Sequence, residues 1–224
     1  MDADIFDSEG FGITPPIFSG AECSAIESYM AGIGGEGIGT RNLLGNEWCK
    51  KLAVSLKETP LIRSILSSDH VAVQCTYFEK SKDQNWLVSV HQDLSIPVRD
   101  RVEHPELTGW SEKEGSIFVQ PPTGVLEKLV AVRLHLDDCQ MDDGPLKVVP
   151  GSHKLGRLNN ESALNERNKR GETVCAVEKG AALLMRPLLL HASSKATGHS
   201  KRRVLHIVFG PSILPFGLRW QHAV

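Results

Sequence analysis

The spacing of apolar residues along the chain changes near residue 70. Before that point apolar positions recur at helical spacing, which predicts helices over residues 20–31 and 46–56, the second with Asn46 as its N-cap. After it, short β-branched and aliphatic runs lie between Gly, Pro, Asn and Asp, a pattern typical of strands. The predicted strands are residues 71–78, 87–91, 116–120, 129–136, 146–149, 174–177, 181–185, 188–193 and 204–209.

One further helix, over about residues 161–169 and ending near Gly171, interrupts these strands. Helices followed by many short strands predict a mainly β fold with N-terminal helices. We expect a double-stranded β-helix, that is, a cupin-like jelly roll, because this closure limits exposed strand edges and leaves a cavity between two sheets. A single domain is expected over residues 1–224, with 1–69 as helical support and 70–224 as the jelly-roll core.

Composition narrows the class of protein. Hydrophobic residues make up 41% of the chain and charged residues 23%, as in soluble globular proteins, and the net charge of −2 argues against a nucleic-acid surface. No apolar stretch reaches the roughly 18 residues of a membrane span, and the acidic N-terminus lacks the basic region of a signal peptide. Five scattered cysteines without a CxxC pair predict reduced thiols and a cytoplasmic location. The sequence does not indicate the oligomeric state.

A glycine-rich segment, GIGGEGIGTRNLLG at residues 32–45, separates the first two predicted helices. It lacks the GxxxxGK[ST] pattern of a phosphate loop, and no predicted strand precedes it. We therefore interpret it as a flexible loop that borders the functional site.

The first candidate metal ligands lie in the segment His91-Gln92-Asp93. Side chains at positions i and i+2 of a strand point to the same face, so His91 and Asp93 can reach one metal ion while Gln92 points away. His191 from a distant strand would complete a face of two histidines and one carboxylate. Such a face suits Fe(II) and leaves positions for a 2-oxo acid and O2.

A late arginine extends this pattern. Arg202 follows His191 by eleven residues across a turn-forming segment, and its guanidinium can pair bidentately with the distal carboxylate of a five-carbon 2-oxo diacid. Adjacent Arg203 competes for the role, since only one of the two can face the cavity. Ser193 shares the face of His191 and can donate its hydroxyl to the same carboxylate.

A resemblance to a known family lies in three segments, HQDLS at 91–95, DDGPLKVVPGSHKLG at 142–156 and KGAALLMRPLLLHASSKATGHSKRRVLHIVF at 179–209. In these segments the chain resembles the phytanoyl-CoA dioxygenase family of Fe(II)/2-oxoglutarate oxygenases. The resemblance implies a jelly roll with Fe(II) on His91, Asp93 and His191 and 2-oxoglutarate on Arg202 and Ser193. It also implies oxidative decarboxylation of the cosubstrate with O2, coupled to hydroxylation of an unactivated C–H bond. Halogenating relatives carry a small residue in place of the aspartate, so Asp93 favours hydroxylation.

Further contacts to cosubstrate or substrate are expected from Gln74 and Thr76, which share a strand face, and from Arg133. Many family members have a bulky aromatic residue at the position of Arg133. An inward Arg133 or His135 would make the pocket polar, whereas a salt bridge to Asp137 or Asp138 would turn Arg133 away from it. Trp86 is a further candidate for such a contact, with core packing as the favoured alternative, and His153 is assigned to a structural turn. The segment 94–128 is expected either to close over the substrate or to pack statically against the barrel.

Three other functions remain open at this stage. A nucleic-acid demethylase usually carries a second arginine six residues after the first, but position 208 is Val. A non-catalytic jelly-roll binding protein would not need the complete set of ligands. A zinc-dependent hydrolase could use the same ligand types but would need a separate general base. The sequence therefore predicts a dioxygenase acting on a small molecule of polar or amino-acid-like character, without nucleic-acid or membrane partners.

Overall fold

The computed structural model describes residues 2–31, 39–81, 84–198 and 200–224. The α-helices in this part of the chain are α1 (Ala3–Glu9), α2 (Gly20–Met30), α3 (Glu47–Glu58), α4 (Pro60–Arg63), α5 (Thr123–Leu126) and α6 (Asn160–Arg170). The strands are β1 (Phe11–Ile13), β2 (Gly39–Thr40), β3 (His70–Lys80), β4 (Val88–His91), β5 (Ile96–Val98), β6 (Thr108–Lys113), β7 (Ser116–Gln120), β8 (Val130–His135), β9 (Leu146–Val148), β10 (Thr173–Cys175), β11 (Ala182–Met185), β12 (His191–Ser193) and β13 (Arg202–Pro211).

Three antiparallel sheets organise these strands. The large sheet has the order β1-β11-β8-β13-β3-β2, and the small sheet opposite it has the order β10-β9-β12-β4. The third sheet, β5-β7-β6, is made by the segment that follows β4. Non-consecutive neighbours in both main sheets show that the chain crosses between them, which is the connectivity of a jelly roll. The predicted fold class is confirmed.

Alternation along β8 separates two cores. Val130, Val132 and Leu134 pack with the N-terminal helices on the outer side of the large sheet. Ala131 lies in a second apolar cluster, shared with the small sheet and the third sheet. Because successive side chains of a strand point to opposite faces, Arg133 and His135 also point toward this inner side. The helices thus support the barrel from outside and leave the inner side to the functional residues.

Local sequence signals explain where the helices begin and end. Ser19 caps α2 through a capping box with Glu22, and Pro60 starts α4 directly after α3. Asn46 precedes α3 as predicted, but its side chain donates to the Leu43 carbonyl at 3.2 Å and makes no capping bond. Asn46 is therefore the N-cap residue of α3, as predicted, but without a side-chain bond to the first turn of the helix.

The division at residue 70 also needs correction. Helices dominate residues 1–69, but β1 and β2 from this part form the two edges of the large sheet. Both strands are too short to give a periodic signal. Half of the glycine-rich segment interpreted as a loop bordering the site, residues 32–38, lies outside the described residues.

The segment 94–128 contains β5 and β6, which were not predicted. Ile96, Val98 and Val119 from this segment lie in the inner apolar cluster, so the third sheet is anchored to the barrel. All five cysteines are unpaired, as predicted, and all five are buried. None of the helices in the described ranges is long and apolar enough to cross a membrane.

Candidate metal and cosubstrate site

His91, Asp93 and His191 converge at one end of the small sheet. Nε2 of His91 lies 3.8 Å from one Asp93 carboxylate oxygen, and Nε2 of His191 lies 3.7 Å from the other. One ligand atom from each residue can be chosen so that all lie within 4.8 Å of one another. These separations suit a shared metal ion, because Fe–N and Fe–O bonds of about 2 Å span such a set.

Backbone carbonyls set the tautomer of both histidines. Nδ1 of His91 donates to the Ser89 carbonyl at 2.9 Å, and Nδ1 of His191 donates to the Leu189 carbonyl at 2.8 Å. With the proton held on Nδ1, each Nε2 presents its lone pair toward Asp93. This arrangement is the usual outer support of a metal-binding histidine, so the donor set fits a divalent ion.

Gln92 points away from the two ligands that flank it, as the alternation predicted. Its amide nitrogen donates to the carbonyls of Gly156 and Leu188, both at 2.7 Å, and its amide oxygen accepts from Leu158 N at 2.9 Å. The backbone N–H of Asp93 donates to the Pro187 carbonyl at 2.9 Å. These bonds tie the end of β4 to the segment that leads into β12.

The electrostatics of the site keep the ligands ready for a cation. Burial alone would raise the pKa of the Asp93 carboxyl, but His191, His206, His91 and Arg133 together lower it. Burial lowers the pKa of His191 to about 4. At neutral pH Asp93 is therefore ionised and His191 neutral, the states in which both side chains bind metal.

The three candidate ligands line a cavity of about 410 Å³ between the two main sheets. Its wall on the large sheet carries Gln74, Thr76 and Phe78 from β3 and Arg202 and His206 from β13. Among the described residues that line it, Asp93 is the only carboxylate, whereas the cationic lining residues are Arg41, Lys113, Arg133 and Arg202. The cavity is thus built for anionic ligands.

Arg202 and Arg203 point to opposite sides of β13. Arg202 lines the cavity and donates to the Gly144 carbonyl, and its buried Nε has no hydrogen-bond partner among the described residues. Arg203 pairs outside with Asp137, with Nη2 2.6 Å from the carboxylate. Of the two arginines, Arg202 is therefore the one that faces the cavity.

Lys80, which the sequence reading missed, completes a polar cluster with Ser193. Its Nζ donates to Ser193 Oγ at 3.0 Å and to the Ser194 carbonyl at 2.6 Å. Lys80 is the cross-strand partner of Arg202, so two cations and one hydroxyl meet at this end of the barrel. Burial, followed by the charge of Arg202, lowers the pKa of Lys80 to about 8. The alternation Gln74, Thr76, Phe78, Lys80 along β3 was the signal that could have found it.

Arg133 points into the cavity and makes no salt bridge to Asp137 or Asp138. Its Nη1 donates to Nδ1 of His206 at 3.0 Å, which makes that nitrogen an acceptor because a guanidinium only donates. Asp137 instead pairs with Arg203, and Asp138 accepts from Lys179 N. The salt-bridge alternative is therefore wrong. His206 was also missed, although it lies four residues after Arg202 on the same strand face.

The remaining predicted positions divide between cavity and periphery. Gln74 and Thr76 line the cavity, and Gln74 Nε2 donates to Thr76 Oγ1 at 3.2 Å. Trp86 also lines it, with Lys80 Nζ 5.4 Å from its ring, so the favoured alternative of core packing is wrong for Trp86. His135 is buried beside the cavity without lining it. His153 bonds to the Asp7 carbonyl, far from the ligands.

Several solved structures share this fold. HygX from Streptomyces hygroscopicus, with nickel and 2-oxoglutarate bound, superimposes with a TM-score of 0.65 at 19% identity, covering 94% of this chain and 86% of that chain. Apo EctD from S. alaskensis gives a TM-score of 0.71 at 16% identity, covering 99% and 84%. SnoK, an alpha-ketoglutarate-dependent carbocyclase from nogalamycin biosynthesis, gives 0.70 at 14% identity, covering 94% and 83%. At these identities the likeness shows the fold alone.

Comparison of the sequence itself identifies the family. No curated protein gives a significant match. The family described as phytanoyl-CoA dioxygenase (PhyH) matches residues 36–204, which include the three candidate metal ligands and Arg202. The chain therefore belongs to the phytanoyl-CoA dioxygenase family, whose members are oxygenases that use Fe(II), 2-oxoglutarate and O2.

Proposed function

We propose that the protein hydroxylates an unactivated C–H bond of a small molecule, with Fe(II) held by His91, Asp93 and His191. The observation that carries this proposal is the convergence of three ligand atoms, all within 4.8 Å of one another, at the wall of the cavity that contains Arg202. Three protein ligands leave coordination positions for a chelating 2-oxo acid and for O2.

The cosubstrate would lie between the metal and the cationic end of the barrel. Arg202 and Ser193 line this end of the cavity and offer a guanidinium and a hydroxyl to the distal carboxylate of 2-oxoglutarate, and Lys80 adds its positive charge from behind Ser193. The Nε of Arg202 is buried without a partner among the described residues, as expected of a donor reserved for a ligand. Gln74 and Thr76 line the same wall and would contact the cosubstrate or the substrate.

Iron supplies the oxidising power in this family by coupling decarboxylation of 2-oxoglutarate to oxidation of a second substrate. The chain's own task is to bind, orient and exclude water. Apolar side chains from both main sheets and the third sheet, including Leu146, Ile96 and Val208, line the cavity and limit access of solvent. Asp93 fills the coordination position that halogenating relatives leave to a halide, which favours hydroxylation.

The cavity volume of about 410 Å³ is of the size that small-molecule sites have. HygX has been solved with hygromycin B bound, and SnoK and SnoN are described as a carbocyclase and an epimerase. The fold therefore accommodates several oxidation outcomes, and hydroxylation must be tested by the mass of the product.

A zinc-dependent hydrolase is the weaker alternative. It needs a general base besides the metal ligands, yet Asp93 is the only carboxylate among the described residues that line the cavity. A non-catalytic binding protein would not need histidines whose tautomers present both Nε2 atoms to one carboxylate.

The first experiment is an anaerobic titration of the Fe(II)-loaded protein with 2-oxoglutarate, followed by visible absorption. We expect a metal-to-ligand charge-transfer band in the wild type, and in Asp93→Ala a weaker band at the same Fe(II) concentration, because one of the three proposed metal ligands is lost. In Arg202→Ala the apparent Kd for 2-oxoglutarate should rise about tenfold to a hundredfold, because a charged hydrogen bond is lost.

Arg203→Ala is the matched control, since it removes the neighbouring guanidinium from the outer face. Its Kd for 2-oxoglutarate should stay within about twofold of the wild type. A folded, iron-loaded wild type without the band would reject the proposed cofactor chemistry. A product that gains no oxygen atom, despite stoichiometric succinate release, would reject hydroxylation.

A further inference from the structure

Arg133 is a buried cation without an acidic partner. It is 8% exposed and lines the cavity, and no carboxylate lies within 4 Å of it among the described residues. Its Nε is buried and has no hydrogen-bond partner there. An unpaired charge in this position is costly, so the arrangement is explained best by an anionic ligand that completes it.

The guanidinium is held in place by neutral groups only. His206 accepts from its Nη1 at 3.0 Å, and the ring of Phe78 lies 5.5 Å from its central carbon. Phe78 and His206 are themselves in edge contact, with ring centroids 6.1 Å apart. Neither group neutralises the charge, so the two residues orient Arg133 and leave its remaining donors free.

The cosubstrate does not require this arginine. Arg202 and Lys80 already stand at the end proposed for its distal carboxylate, and the metal would take its other end. Arg133 is the cross-strand partner of His206, which is four residues beyond Arg202 on β13, a displacement of roughly 13 Å along the strand. The two arginines therefore extend from different points along the cavity wall, and their charges still repel one another.

Charge balance points to a second anion. Fe(II) with Asp93, a 2-oxoglutarate dianion, and the cations Arg202 and Lys80 already leave an excess of positive charge, which Arg133 increases. Asp143 compensates part of it near Arg202 but is not among the residues that line the cavity. A substrate carboxylate beside Arg133 would reduce this excess in a buried position, where the low dielectric constant strengthens the repulsion between the cations.

We propose that Arg133, oriented by His206 and Phe78, binds a carboxylate of the primary substrate, so that the enzyme acts on a small carboxylic acid. This inference rests on the proposed function and adds the substrate class. Arg133 then fixes one end of the substrate while the metal face with Asp93 addresses a C–H bond further along the same molecule.

Calorimetry tests the proposal without turnover. Anaerobic protein loaded with Ni(II) and saturating 2-oxoglutarate is titrated with a panel of straight-chain carboxylates from acetate to octanoate and the common L-amino acids, and with their primary amides. We expect at least one acid to bind the wild type and its amide to bind at least about tenfold more weakly. In Arg133→Leu the acid should lose at least about tenfold in affinity, whereas the affinity for 2-oxoglutarate changes less than about twofold.

Two further variants control for charge and folding. Lys128→Leu removes one positive charge from an exposed residue that does not line the cavity and should leave acid binding within about twofold. Arg133→Lys keeps the charge but loses the planar fork, so it should bind the acid with intermediate affinity and guards against misfolding of the leucine variant.

Three outcomes would overturn the proposal: no acid of the panel binds the wild type, the amides bind as well as the acids, or Arg133→Leu weakens 2-oxoglutarate as much as the acid. The last would assign Arg133 to the cosubstrate. A parallel titration of metal-free protein separates this test from the proposed function. Absence of the charge-transfer band in the Fe(II)-loaded wild type would reject the cofactor chemistry. The difference in acid affinity between metal-free wild type and metal-free Arg133→Leu would still report on the carboxylate site.

Discussion

His91 and His191 are direct cross-strand partners on β4 and β12, and their ring centroids lie 4.2 Å apart. Residues opposite each other in an antiparallel pair project to the same face, so one register places both imidazoles at the metal site. A shift by one residue would send one of them to the other face. The site therefore depends on whatever fixes this register, and Gln92 is the side chain placed to do so.

Gln92→Leu should destabilise the fold by about 3 kcal/mol, because it leaves the Gly156 and Leu188 carbonyls and the Leu158 N–H unpaired in a buried position. Chemical denaturation of the metal-free protein measures the effect. Gln140→Leu is the control, since Gln140 is exposed. Equal denaturation midpoints for the two variants would show that Gln92 does not hold the ends of β4 and β12 together.

Lys80 should make cosubstrate binding depend on pH. Its pKa is lowered from 10.5 to about 8, chiefly by burial, so the ammonium loses its proton as the pH rises through 8. The affinity of Ni(II)-loaded protein for 2-oxoglutarate should therefore fall several-fold between pH 7 and pH 9, since the carboxylates of the cosubstrate do not titrate there. Calorimetric titrations at the two pH values give the ratio.

Lys80→Met removes this titration and keeps a side chain of similar length. The variant should bind 2-oxoglutarate more weakly at pH 7, and its affinity should be nearly independent of pH up to 9. Folding is linked in the opposite sense: the lowered pKa makes the charged lysine a cost below pH 8 that is relieved between 8 and 10.5. The free energy of unfolding of the wild type should thus increase relative to that of Lys80→Met as the pH rises through this window.

Trp86 should report on occupancy of the site, because it lines the cavity beside Lys80. Binding of Ni(II) and 2-oxoglutarate is expected to quench part of the tryptophan fluorescence, and Trp86→Phe should remove most of that quenching. Trp48 stacks on Tyr29 with centroids 5.4 Å apart in the helical layer, so Trp48→Phe should retain it. Quenching that survives in Trp86→Phe would place the responsive indole elsewhere.

The candidate metal ligands could be predicted from the sequence because the alternation of side chains along a β-strand is a local pattern. Alternation placed His91 and Asp93 on one face, and the apolar runs located every strand that carries a proposed ligand. The strands β5 and β6 escaped detection, since Pro97 and the polar residues 108–113 give no apolar alternation. Their place over the barrel is fixed by tertiary packing of Ile96 and Val98.

The identity of the cationic residues could be predicted only in part. Arg202 was identified, but the choice between it and Arg203 required the start of β13, which begins two residues earlier than predicted. Lys80 lies two residues beyond the predicted end of its strand and was lost for the same reason. Strand ends are where local signals are weakest, and here they carry the residues proposed to hold the cosubstrate.

Gly144 lies between the backbone acceptors of Arg202 and Lys80. Its own carbonyl accepts a hydrogen bond from Arg202. A Cβ added to Gly144 would lie 2.5 Å from the Ser194 carbonyl oxygen, which accepts a hydrogen bond from Lys80. Its φ of 65° also lies in the left-handed region that favours glycine. Gly144→Ala should therefore cost stability through strain and, through the clash, displace the acceptors of Arg202 and Lys80.

Gly217→Ala separates these two effects. Gly217 has a φ of 71°, but a Cβ there would meet nothing within 4 Å, so only the backbone strain of about 1 kcal/mol should appear. We expect Gly144→Ala to be the less stable of the two in denaturant and to be the only one with weakened 2-oxoglutarate binding. Equal stability losses, with cosubstrate affinity unchanged in both, would show that the Ser194 carbonyl can move without disturbing the cationic end of the cavity. Lys80 and Arg202 would then be positioned by their own strands alone.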